Sequence, residues 1–61
     1  MLFEVSFHLL GMEVENNIKL YYNGNTYMLF NKEQLLTIET TYIFVYQYLK
    51  ENNLIIKEHV K

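Results

Sequence analysis

Asn31-Lys32-Glu33-Gln34-Leu35-Leu36-Thr37-Ile38-Glu39-Thr40-Thr41-Tyr42-Ile43-Phe44-Val45-Tyr46-Gln47-Tyr48-Leu49-Lys50-Glu51-Asn52 decides the fold, because it carries two periodicities at once. Leu35, Ile38, Tyr42, Val45 and Leu49 recur at spacings of three and four, the stripe of an amphipathic helix. Asn31 has the chemistry of an N-cap, and Gln34 three residues on completes a capping-box-like pair. This reading predicts one helix over about 32–52. Against it, Thr40 to Tyr48 is β-branched and aromatic and alternates as a strand does. The competing fold makes residues 40–50 a strand paired with 54–60, in a nearly all-β small barrel. The helix is preferred because its stripe suits the apolar face that the preceding segments offer.

Those segments read as a three-stranded antiparallel meander over about 2–14, 18–22 and 26–30. In the first, Phe3, Val5, Phe7 and Leu9 alternate with Glu4, Ser6 and His8, and the parity flips after Gly11, as at a bulge in one bent strand. A turn at Glu15-Asn16-Asn17 sets Val14 opposite Ile18 and Met12 opposite Leu20. Asn23-Gly24 offers the positive φ pair of a tight two-residue hairpin, which pairs Leu20 with Tyr27 and Ile18 with Leu29. A short strand over 54–60 follows the helix. The expected architecture is α+β in a single domain, 1–61.

On the helical reading, Leu36, Ile43 and Phe44 point away from the Leu35 stripe, and Tyr46 and Tyr48 stand at its borders. A helix apolar on more than one side is buried on more than one side, and 61 residues cannot wrap it alone. The expected interface is therefore Leu36, Ile43, Phe44, Tyr46, Gln47 and Tyr48, covered first by a second copy of the chain in a symmetric homodimer. Tyr42 is assigned to the core.

Composition supports association. The chain is 51% hydrophobic and 16% aromatic, rich for its size, and has no cysteine with which to staple itself. Its five basic residues are all lysine and its seven acidic residues all glutamate, for a net charge of −2. That balance disfavours a nucleic-acid binder, which needs a cationic footprint, and a mimic of nucleic acid, which needs a dense anionic one. The longest apolar run, Tyr42 to Tyr46, is far too short to span a bilayer, and Met1-Leu2-Phe3-Glu4 does not open as a secretion signal does, so a cytoplasmic location without membrane contact is expected. The abundance of Asn, Lys, Ile and Tyr points to AT-rich coding, as in a low-GC bacterium, its phage or a plasmid.

Catalytic patterns are weak. His8 and His59 are the only imidazoles, and Glu4, His8, Glu58 and His59 converge only if the first and last strands are neighbours. Ser6 and His8 lack a third orienting group, and Asn23-Gly24-Asn25 is too short to cradle a phosphate. The sequence thus predicts no enzyme, no cofactor and no metal. It predicts a protein-binding module that regulates or inhibits a larger host protein stoichiometrically, of phage or mobile-element type. The alternative is a single-stranded nucleic-acid accessory protein that stacks bases on tyrosines, with Lys19, Lys32, Lys50 and Lys57 at phosphates.

Overall fold

The computed structural model describes residues 1–59. In chain order these form β1 (Phe3–Val5), β2 (Met12–Val14), β3 (Ile18–Tyr22), β4 (Tyr27–Asn31), β5 (Gln34–Glu39), α1 (Tyr42–Glu51) and β6 (Ile55–Glu58). The α+β class holds, but the strands divide into a four-stranded antiparallel sheet, in the order β1-β3-β4-β5, and a two-stranded ribbon of β2 and β6. No closed barrel forms among the described residues.

The single bent strand expected over 2–14 is two strands in different sheets. After Val5 the chain winds into a turn in which Met12 N–H donates to Phe7 C=O and Gly11 N–H to His8 C=O, both at 3.0 Å. This is the bond pair of a helix C-terminal cap, and it needs a left-handed residue at Gly11, whose φ is +88°. The glycine that suggests a bulge therefore redirects the chain. As a result Leu9 is exposed, and Val14 lies opposite Ile55 instead of Ile18. Leu20 faces Val5 and Leu29 instead of Met12.

The β3–β4 hairpin is also longer than the Asn23-Gly24 turn predicts. Asn23 Oδ1 accepts from the backbone N–H groups of Asn25 (2.9 Å) and Thr26 (2.8 Å). That Asx-type closure needs a positive φ only at Gly24, at +96°. Tyr22 then pairs with Tyr27 and Leu20 with Leu29, two residues from the expected register. A slip of two preserves the faces, so the expected apolar side survives the error.

The largest correction falls on residues 32–41, the first half of the expected helix. Asn31 and Gln34 are not a capping box but partners across a tight turn, with Lys32 at a φ of 56°. In the β5 strand that follows, Phe30 lies opposite Leu35 and Leu29 opposite Thr37, so Leu36 is an extra residue in the ladder. Such a bulge shifts side-chain parity by one. Leu35 and Ile38 therefore share the outward face at a spacing of three, which imitates helical periodicity. Leu36, expected to project outward, packs against the core instead.

Residues 42–51 are the helix, despite their β-prone composition. Val45 and Leu49 are one turn apart and fully buried, and their packing on the sheet overrides local propensity. The all-β alternative over 40–50 is thereby overturned. The helix ends in a second cap of the same kind: Leu54 N–H donates to Leu49 C=O (2.9 Å) and Asn53 N–H to Lys50 C=O (3.2 Å), with Asn53 at a φ of 56°. The last strand is shorter than the expected 54–60, and Val60 lies outside the described residues.

The core is Met12, Ile18, Leu20, Leu29, Val45 and Leu49. It lies between one face of the sheet and α1, with Met12 and Ile18 joining it to the ribbon side. No helix among the described residues is long and apolar enough to cross a membrane.

Candidate protein-interaction surface

Alternation along each strand, combined with the register, assigns every sheet residue to a face. The inward rows include Val5, Leu20, Leu29 and Thr37, aligned across four strands. The outward rows are Glu4-Tyr21-Met28-Ile38 and Lys19-Phe30-Leu35. At the β1 side these rows are charged, and Lys19 Nζ lies 3.5 Å from Glu4 Oε2. Toward β4 and β5 they are wholly apolar or aromatic.

Tyr21 and Phe30 meet edge to face with centroids 5.7 Å apart, and both are half-buried, as is Met28 beside them. Leu35 is 44% exposed and Ile38 54% exposed. None of these five residues belongs to the core or packs against it. Since α1 and the core occupy the opposite face, no element among the described residues covers this one. An antiparallel sheet with one buried face ordinarily places polar residues on the other. A contiguous apolar patch in that position has the composition of an interaction surface, with aromatic anchors at its centre.

The residues expected to form the interface do not share one surface. Leu36 and Tyr48 are half-buried and pack against the core, while Ile43 (61% exposed), Phe44 (48% exposed) and Gln47 lie on the outer side of α1. Tyr46 does both, packing on the core and lining a groove of about 360 Å³ between α1 and the ribbon. Tyr42 packs against the core and lines the same groove.

The groove is lined by the apolar side chains of Leu10, Met12 and Ile43 and by the polar ones of Glu58 and His59. Tyr46 Oη donates to Glu58 Oε1 at 2.6 Å, and Lys50 Nζ lies 3.6 Å from Glu58 Oε2 and 5.5 Å from the Tyr46 ring centroid. Partial burial pushes the Tyr42 phenol above its ordinary pKa, and the neighbouring Tyr46 and Glu58 act in the same direction. Tyr46 and Glu58 likewise raise the Lys50 ammonium above its ordinary value.

The four-residue constellation of Glu4, His8, Glu58 and His59 is not assembled, because β6 pairs with β2 and not with β1. Only the two imidazoles meet, with centroids 5.9 Å apart. His59 Nε2 faces Glu13 at 3.2 Å, Glu58 turns to Tyr46 and Lys50, and Glu4 turns to Lys19. Among the described residues no three side chains of the metal-ligating types converge on a point that could hold an ion.

The outward patch has a signal in the sequence. Tyr27-Met28-Leu29-Phe30 is apolar at both parities, so whichever face of that strand enters the core, Met28 and Phe30 or Tyr27 and Leu29 are left outside. Comparison with protein-family models, with curated proteins and with solved structures gives no match to this chain.

Proposed function

We propose that the chain is a non-catalytic protein-binding module whose working surface is the open face of its sheet, and that its first partner is a second copy of itself. The observation that carries this reading is the outward patch of Tyr21, Met28, Phe30, Leu35 and Ile38, held apart from the core on a sheet whose other face is already occupied. Two such faces stack as in a β-sandwich, and a two-fold axis lets one apolar patch meet its own copy. The Lys19–Glu4 pair at the margin leaves the patch without net charge, so like faces meet without repulsion there.

In this arrangement the outer side of α1, with Ile43, Phe44 and Gln47, stays free for a larger host protein, whose activity the module regulates by occlusion. Sedimentation velocity over a concentration series tests the first step. The expected result is a dimer that Phe30→Glu converts to a folded monomer. A native chain that stays monomeric at every concentration would remove the self-association, and capture of one host protein on the same face would then decide whether the module reading survives.

A second reading draws on the same face, because Tyr21 and Phe30 offer stacking area beside Lys19, as in a single-stranded nucleic-acid platform. It is weaker, since Lys19 is engaged by Glu4 and Lys50 by Glu58, on a different side of the molecule. Salt-sensitive retention on single-stranded oligonucleotides, abolished by Phe30→Ala, would favour it.

A further inference from the structure

We propose that the groove between α1 and the β2–β6 ribbon is a subsite for the lysine side chain of a partner protein. The groove is separate from the open sheet face and does not depend on it. Its chemistry is that of ammonium recognition: a carboxylate, Glu58, beside the electron-rich ring of Tyr46, in a groove also lined by Leu10, Met12 and Ile43. The Tyr46 hydroxyl holds one carboxylate oxygen at 2.6 Å, which fixes the other oxygen in orientation.

The chain itself shows which group this pair accepts. Lys50, one helical turn beyond Tyr46, sets its ammonium over the Tyr46 ring at 5.5 Å and 3.6 Å from the second Glu58 oxygen. Its own contact is loose and exposed, with 54% of the side chain open to solvent, so it is a weak competitor. Lys50 is not among the residues that line the groove. A lysine from a partner would take the place of Lys50 over the Tyr46 ring and at Glu58 Oε2, and would lay its methylene stem on the groove residues Leu10 and Ile43. The groove volume, about 360 Å³, is at the small end of the range for ligand sites and suits one extended side chain.

The test is an amide chemical-shift titration of the full chain with Nα-acetyl-lysine methylamide, alongside its Nε-acetylated analogue, which keeps the stem and loses the charge. Saturable shifts are expected at Gly11, Met12, Ile43, Tyr46 and Glu58, with affinity at least about fivefold lower for the acetylated analogue and for Glu58→Gln. Lys50→Ala should strengthen binding severalfold by removing the internal competitor. Equal binding of the two probes, absence of saturation, or weaker binding by Lys50→Ala would each overturn the proposal. The two-probe comparison and Lys50→Ala decide it even if Glu58→Gln fails to fold.

Discussion

Tyr21 and Phe30 stand on adjacent strands with their rings at 81°, edge against face, on the side of the sheet turned away from α1. Aromatic pairs of this geometry ordinarily sit in cores or interfaces, where exclusion of water adds to the contact. Here both rings are half-buried within the outward patch, and a partner covering that face would exclude the remaining water.

Neighbouring residues of one sheet should differ sharply in their tolerance to substitution. Leu20 and Leu29 are fully buried, and truncating either to alanine should cost about 2–5 kcal/mol. A domain of 61 residues has a total stability of only about 3–9 kcal/mol. Leu29→Ala should therefore leave a chain that is largely unfolded or melts far below the native one. Ile38→Thr, on the outward face, should change monomer stability by less than about 0.5 kcal/mol. Urea unfolding at concentrations where the chain is monomeric measures both.

Surface charge should separate the two apolar faces. Phe30→Glu and Phe44→Glu insert the same carboxylate on opposite sides of the molecule. If the sheet face joins the copies, sedimentation of Phe44→Glu matches the native chain, and Phe30→Glu is monomeric. The reverse pattern would return the interface to the helix.

Two left-handed positions give signed backbone predictions. Asn53, at a φ of 56° in the cap after α1, should accept glycine with a gain of about 0.5–1 kcal/mol. Gly11, at +88° between β1 and β2, should lose about 1–2 kcal/mol on substitution by alanine, because a Cβ is strained there. A Cβ at Gly11 would meet only an ordinary contact, 3.8 Å from the His59 carbonyl, so the loss comes from the backbone and not from crowding. Thermal melts of the two variants should move in opposite directions.

Alkaline pH should destabilise the fold. Burial first, then the nearby Tyr46 and Glu58, raise the Tyr42 pKa above its ordinary value of 10.0. A group that holds its proton more tightly when folded stabilises the native state below its unfolded pKa, and that contribution is lost as pH rises through the folded value. Lys50, raised above 10.5, acts in the same direction. Melting temperature should therefore fall above about pH 10, and less steeply in Tyr42→Phe. An identical decline in that variant would remove Tyr42 from the explanation.

Faces were more legible in the sequence than boundaries. The inward residues Leu20, Leu29, Val45 and Leu49 all follow from simple alternation or helical spacing, and the end of the helix at Asn52-Asn53 follows from turn chemistry. Over 32–41 the helical spacing misleads, because the bulge at Leu36 places Leu35 and Ile38 on one face at an interval that a helix also produces. Periodicity cannot separate the two; the turn at Lys32 does, and its left-handed residue is a lysine, which gives no signal. The surplus of apolar side chains is legible, and Ile43 and Phe44 are exposed on the helix as expected, but the share carried by Leu35 and Ile38 is not, because a helical reading of residues 32–41 turns both toward the core.

The most direct test is a dilution series followed by amide chemical shifts of the native chain. If the open sheet face joins two copies, the concentration-dependent shifts are confined to Lys19, Tyr21, Met28, Phe30, Leu35 and Ile38 and their strand neighbours, with α1 unmoved. A spectrum that does not change with concentration, or changes centred on Ile43, Phe44 and Gln47, would contradict it.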